Sequence, residues 1–149
     1  MNLKAVFFAT ALCCVLAGCI TINTGEPVPM SGRKCSNTEA CQTSVSVDNF
    51  MVFWRRAAVA DQTLELNGAR SVTWTLAAAG YQFADNGIEF SLKPGGKDPS
   101  GLFDCTKSQD SMSFTCSVSE KAGKGSYYAY TIRLVGPDNP YPLDPWIKN

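Results

Sequence analysis

Tyr128, Tyr130, Ile132 and Leu134 alternate with Tyr127, Ala129, Thr131 and Arg133. A period of two puts the first set on one face of an extended strand and the second on the other. The same alternation recurs in Val45/Val47, Leu64/Leu66, Val72/Trp74/Leu76, Tyr81/Phe83, Ile88/Phe90/Leu92 and Met112/Phe114/Cys116/Val118. No stretch after residue 34 sustains the 3.6-residue period of an amphipathic helix. Ala77-Ala78-Ala79-Gly80 is too short and too poorly capped to be one, and is read as a connection. The pattern predicts seven to nine short strands in an all-β, antiparallel, immunoglobulin-like sandwich.

Turn residues mark the joints. Asn67-Gly68 predicts a hairpin between Leu64/Leu66 and Val72/Trp74. A two-residue turn would set those pairs on opposite faces, so a three-residue loop with Gly68 left-handed is expected. Asp85-Asn86-Gly87 predicts a second turn, residues 93–101 a long loop and residues 122–125 another turn. Residues 126–135 form the longest expected strand. Phe50-Met51-Val52-Phe53-Trp54 is apolar at every position, which suits a strand covered on both faces or a bulge near Asp48-Asn49. Trp54, Trp74 and Trp146 are assigned to the core. Residues 137–149, with four prolines, are read as a tail.

The first nineteen residues carry a different signal. Met1-Asn2-Leu3-Lys4 holds one positive charge, Ala5 to Ala17 is apolar except for Thr10, and small residues lead into Gly18-Cys19. This is the plan of a secretory signal, and its apolar run is shorter than the roughly 20 residues that span a bilayer. Leu16-Ala17-Gly18-Cys19 resembles the lipobox of bacterial lipoproteins. The resemblance implies a diacylglyceryl thioether on Cys19 and cleavage before it. With Ile rather than Asp at position 20, it further implies an outer-membrane anchor facing the periplasm. The expected organisation is a signal peptide over residues 1–18, a lipidated tether over 19–34 and a disulfide-containing domain over 35–149.

Of seven cysteines, Cys13 and Cys14 leave with the signal and Cys19 takes the lipid. Cys35, Cys41, Cys105 and Cys116 remain, an even set in an exported chain, which reads as two disulfides. Proximity favours Cys35–Cys41 and Cys105–Cys116. If Cys105 faces Cys116, Phe103 faces Val118, so thiol and apolar registers agree in one stapled hairpin.

Chemistry is constrained mostly by what the composition lacks. There is no histidine, which removes Ser-His-Asp, Cys-His and His-based zinc and blue-copper sites. Gly95-Gly96-Lys97 and Gly123-Lys124-Gly125-Ser126 hold fragments of a phosphate loop without its full pattern and read as turns. Asp85, Glu89, Asp98, Asp104 and Asp110 read as turn and surface carboxylates rather than a glycosidase pair. Thirteen basic residues balance thirteen acidic ones, and the signal removes only Lys4. No basic field for nucleic acid results. The chain is expected to be non-enzymatic and without a cofactor beyond the covalent lipid. Its expected partners are the membrane, through the anchor, and an envelope protein or polymer. Arg55 and Arg56 beside Trp54 are candidate partner contacts, as are Tyr127 and Arg133 on the outer face of the longest strand. Alternatives are an inhibitor or immunity lipoprotein against a cell-wall hydrolase or toxin, and a structural subunit of an envelope assembly.

Beyond the lipobox, three sets of residues resemble pieces of an uncharacterised family of exported immunoglobulin-like or cupredoxin-like sandwiches. They are Trp74-x-Leu76 with Gly80-Tyr81-x-Phe83 and Gly87-Ile88-x-Phe90, Tyr128-x-Tyr130-x-Ile132, and the ending Leu143-Asp144-Pro145-Trp146-Ile147-x-Asn149. The resemblance spans residues 72–149 and implies a fold, not an activity. Trp74 precedes both Cys105 and Cys116, so the antibody order Cys…Trp…Cys is absent.

Overall fold

A computed structural model describes residues 32–35 and 40–149. The signal, Cys19 and the tether up to residue 31 lie outside the described residues. The described chain is all-β, with ten strands in two five-stranded sheets packed as a sandwich. The strands are β1 (Arg33–Lys34), β2 (Cys41–Met51), β3 (Trp54–Val59), β4 (Thr63–Glu65), β5 (Ser71–Leu76), β6 (Gln82–Ser91), β7 (Phe103–Lys107), β8 (Ser113–Val118), β9 (Tyr127–Val135) and β10 (Trp146–Lys148). One sheet runs β1-β4-β10-β9-β6 and the other β3-β2-β5-β8-β7.

Both sheets are mixed where antiparallel ones were expected. β1 and β10 each pair parallel with β4, and β2 pairs parallel with β5. The cause lies at Asn67-Gly68. Both residues have positive φ and Ala69 N–H donates to Leu66 C=O at 2.8 Å, so the turn forms. It carries the chain from β4 in one sheet to β5 in the other, and is not a hairpin. Leu64 and Val72 then meet across the core instead of within a sheet, which dissolves the facing conflict that called for a longer loop.

Asp85-Asn86-Gly87 is likewise not a turn between strands. β6 runs through it, and its pairing with β9 jumps from Phe83↔Leu134 to Ile88↔Ile132. The extra residues bulge out of one strand, so Phe83, Ile88 and Phe90 still reach the core. β2 and β6 are both longer than β9.

The two disulfides are Cys35–Cys41 and Cys105–Cys116. Cys105 pairs with Cys116 and Phe103 with Val118 across the β7–β8 ladder. Closing a loop of this size contributes about 3 kcal/mol through the entropy of the unfolded chain. Cys35 follows β1, so Arg33 and Lys34, read from sequence as the last of the tether, belong to the domain edge.

Aromatic rings fill the space between the sheets. Trp74, fully buried on β5, lies 5.1 Å from the Tyr130 ring on β9, and its Nε1–H donates to the Tyr130 hydroxyl at 3.2 Å. Phe90 stacks on Phe103 at 3.7 Å, Phe103 meets the Tyr128 ring edge-on, and Phe83 meets Phe114. Burial pushes the Tyr130 hydroxyl well above the ordinary phenol range, so it stays neutral at the core.

The proline-rich tail turns out to be structural. Pro140 and Pro142 alternate with residues whose backbone groups bond. Tyr141 N–H donates to Arg55 C=O and Leu143 N–H to Ile132 C=O. Prolines occupy the positions where no donor is needed. The segment starts on β3, crosses to β9 and ends as β10, which inserts between β4 and β9. Asp144 fixes it from outside, accepting from Thr131 Oγ1 at 2.6 Å and pairing with Lys93 Nζ at 2.7 Å.

Two outcomes follow from these contacts. Tyr130→Phe leaves the Trp74 indole N–H without its partner and should cost about 1–3 kcal/mol in denaturant unfolding; an unchanged midpoint would contradict the role given to this bond. For Asp144, partial burial pushes the carboxyl pKa up, but the Lys93 and Thr131 hydrogen bonds and the charges of Lys93 and Arg133 outweigh it and hold the carboxyl below its ordinary value. Its charged form therefore stabilises the fold fully above about pH 4, and that contribution is lost as pH falls further. The melting temperature should drop on acidification below that point, and Asp144→Asn should flatten the drop while lowering the melting temperature at neutral pH.

Candidate functional site

The strand β2 has eleven residues, but only Cys41 to Val45 pair with β5. β5 ends at Leu76, and the chain leaves through Ala77-Ala78-Ala79-Gly80, where Gly80 takes a positive φ. From Ser46 onward β2 pairs, among the described residues, with β3 alone, so the β2–β3 hairpin runs on beyond the last β2–β5 pair. Val45↔Val59 and Val47↔Ala57 are the last pairs to touch the core. Beyond them come Asp48↔Arg56 and Asn49↔Arg55, then a register shift at Phe50, then Met51↔Trp54 closing on the turn residues Val52 and Phe53.

The sequence expectation of a covered strand fails here. A bulge lies close to the position suggested by Asp48-Asn49, but Phe50 to Trp54 are all exposed, Val52 at 88% and Phe53 at 89%. Trp54 is 53% exposed and does not belong to the core, whereas Trp74 does. The reason is topological: among the described residues no third strand covers the outer half of the hairpin. Five consecutive large apolar side chains thus lie at one tip.

The base of the tip is braced. The Tyr141 ring, carried by the tail, meets Trp54 edge-on at 5.5 Å and Phe50 at 6.2 Å. Arg56 lies 5.1 Å from the Phe50 ring centroid, a cation–π distance. Arg55 pairs with Asp138 at 3.2 Å, and Asp138 also accepts from the Tyr81 hydroxyl at 2.8 Å. That hydrogen bond, with burial and the Asp138 charge, raises the Tyr81 pKa above the ordinary phenol value against the opposing pull of Arg55. Tyr81, Asp138 and Arg55 form one polar chain from the sandwich end to the hairpin.

Of the residues singled out in the sequence, Arg55 and Arg56 fall at this tip. Tyr127 and Arg133 do not, nor do they form one patch. Tyr127 sits at the opposite end of β9 with Lys148 Nζ over its ring at 5.7 Å, and Arg133 is taken up by an ion pair with Glu89. Cys35, Cys41, Cys105 and Cys116 are all in disulfides. Tyr141 and Asp138 had no sequence signal beyond their place in a proline-rich tail. The unbroken apolar run within an otherwise alternating chain was the available sign of the tip itself.

Elsewhere the polar groups serve turns. Asp85 pairs with Lys107 at 2.6 Å, Asp98 accepts from Ser100 and Asp110 accepts from Ser108 and Met112 N–H. These hydrogen bonds hold all three carboxyls below their ordinary pKa, the opposite of what a glycosidic general acid needs. A cavity of about 570 Å³ lies at the far end of the sandwich, between the Asn67-Gly68 turn and the chain terminus. Its charges compensate one another, as Arg70 pairs with Glu120 at 3.0 Å and Lys148 with Glu65 at 3.3 Å. Among the described residues no cluster of three potential metal ligands occurs, and no helix is long and apolar enough to cross a membrane. No protein-family model and no curated protein sequence matches the chain.

Removing the brace should loosen the tip without unfolding the sandwich. Tyr141→Ala is expected to cost about 0.5–1.5 kcal/mol from the lost ring contacts, and to lower the fluorescence anisotropy of Trp54 measured in a Trp146→Phe background. Unchanged anisotropy would show that the tail does not order the hairpin.

Proposed function

We propose that the chain is a lipid-anchored, non-enzymatic contact module of a bacterial envelope, and that the end of the β2–β3 hairpin is its contact site. Cys19 carries the lipid, the outer membrane holds it, and an immunoglobulin-like sandwich facing the periplasm serves as a rigid support. One observation carries the reading: the Phe50–Trp54 run is exposed at the end of a hairpin that continues beyond the last β2–β5 pair. Contiguous apolar surface of this kind mostly marks an interaction site. Tryptophan and arginine are the residues that most often dominate such contacts, and Trp54, Arg55 and Arg56 adjoin the tip. The absence of histidine supports a non-catalytic role.

The entry of the chain into the domain and the tip lie far apart. The chain enters at Cys35 and Cys41, where β2 begins, and the tip lies at the other end of β2. Eleven residues of strand at about 3.3 Å each place the tip roughly 35 Å from Cys41. A partner of the tip is an envelope component with an apolar face.

A second reading is an inhibitor or immunity lipoprotein whose hairpin enters the cleft of a cell-wall hydrolase or toxin. The convex tip favours it over the β7–β8 hairpin, which is bound into its sheet as an edge and covered by Phe90.

A photocrosslinking amino acid placed at Phe53 in the full chain, expressed in its native envelope, should give adducts. The same group at Thr115, exposed on the outer face of β8, should give none. Equal labelling at both sites, or none at Phe53, would refute the tip as contact site. Under the second reading, deleting the protein also sensitises cells to a lysozyme or a rival strain.

A further inference from the structure

The geometry of the hairpin points to its occupant: we propose that the β2–β3 tip inserts into the interfacial layer of the bilayer that holds the chain's own lipid anchor. The inference rests on the reading of Cys19 as lipidated and of the tip as the contact site.

Polarity along the hairpin is layered. Val52 and Phe53 form an apolar cap, nearly free of protein contact. Behind them Phe50, Trp54 and Tyr141 form an aromatic ring layer, the last two touching edge-on. Behind that layer stand the charges of Asp48, Arg55, Arg56 and Asp138. A bilayer presents the same sequence from inside outward, with hydrocarbon, an interface that favours tryptophan and tyrosine, and charged headgroups. Among the described residues Arg56 has no ion pair, and its guanidinium lies over Phe50 at the level where lipid phosphates would meet it. A protein groove would have to be shaped to this convex tip, whereas a lipid interface accommodates it without a preformed pocket.

Reach is the second argument. The thirteen residues from Ile20 to Gly32 extend to at most about 45 Å. That exceeds the roughly 35 Å from Cys41 to the tip at about 3.3 Å per residue along β2. The sandwich can therefore lie over on its tether and return its distal end to the anchoring surface. A diacylglyceryl group already anchors the chain stably, so insertion of the tip adds orientation of the sandwich on the bilayer rather than attachment to it. Tethering also keeps the tip at a high effective concentration near that surface.

The test uses the mature, lipidated chain reconstituted into vesicles of phosphatidylethanolamine and phosphatidylglycerol, doped with phosphatidylcholine brominated at defined depths. Trp54 emission should shift to the blue and be quenched by shallow bromines. In a Trp146→Phe background, Trp54→Phe should remove that quenching, since the remaining Trp74 is sealed in the core. Val52→Asp with Phe53→Asp should reduce the inserted fraction about tenfold or more, while far-ultraviolet circular dichroism and the melting temperature stay unchanged. Trp54 that remains open to aqueous iodide and untouched by brominated lipid would overturn the proposal. The Phe53 photocrosslinker in cells separates the failures. Lipid adducts support insertion. Protein adducts alone overturn insertion and leave the tip as a contact site, and no adduct overturns both.

Discussion

The buried contact between Trp74 and Tyr130 organises the molecule. Each residue sits on an interior strand of its sheet, and each brings a polar atom into a space that is otherwise apolar. An indole N–H left alone there would be costly, so the two sheets must hold the relative position that lets the bond form. Phe90 packs on Tyr130, Phe103 on Phe90 and Tyr128 on Phe103, extending the contact along the core to the strand pair that carries the Cys105–Cys116 disulfide. The result is a slab whose two sheets are tied by rings in the middle, with the edge strands β7 and β8 stapled covalently within one of them.

That rigidity gives meaning to the part that does not fit inside it. β5 stops at Leu76 because the chain must cross there to begin β6 in the opposite sheet. β2 and β3 continue past that point, and among the described residues the rings of their tip meet Tyr141 and the Arg56 guanidinium. The tail is the link between slab and overhang. Its alternating prolines give up donors only where none is needed, while Tyr141 and Leu143 bond to β3 and β9 in turn. A strand that changes sheets in this way ties the hairpin base to the core and leaves the apex bare. The chain entry at Cys35 and the bare apex end up at opposite ends of one long strand.

Much of the strand content was legible because burial on one face leaves a period of two. Val72/Trp74/Leu76 and Tyr128/Tyr130/Ile132/Leu134 point to the core as their alternation requires, and the Cys105↔Cys116 and Phe103↔Val118 pairs agree with the shared register of thiols and apolar residues. What misled was punctuation. Asn67-Gly68 does turn, with both residues left-handed, but a turn states that the chain reverses locally and not which sheet receives it. Asp85-Asn86-Gly87 carries turn chemistry yet bulges within one strand, since β9 continues to pair on either side of it. The prolines of the tail argued against a strand, but Trp146–Lys148 contains none and pairs on both edges.

By itself the sequence determined that the chain is β-structured, that one face of most strands is buried, which cysteines lie near enough to pair, and which side-chain chemistries are missing. These are local or compositional properties, carried by neighbours along the chain. Only the tertiary structure decided that the sheets are mixed, that Trp74 meets Tyr130 from 56 residues away, and that Phe50 to Trp54 face outward. An apolar run says that burial would be favourable. Whether a neighbour exists to provide it depends on where β5 ends and where the tail crosses, and those are set by contacts between segments far apart in sequence.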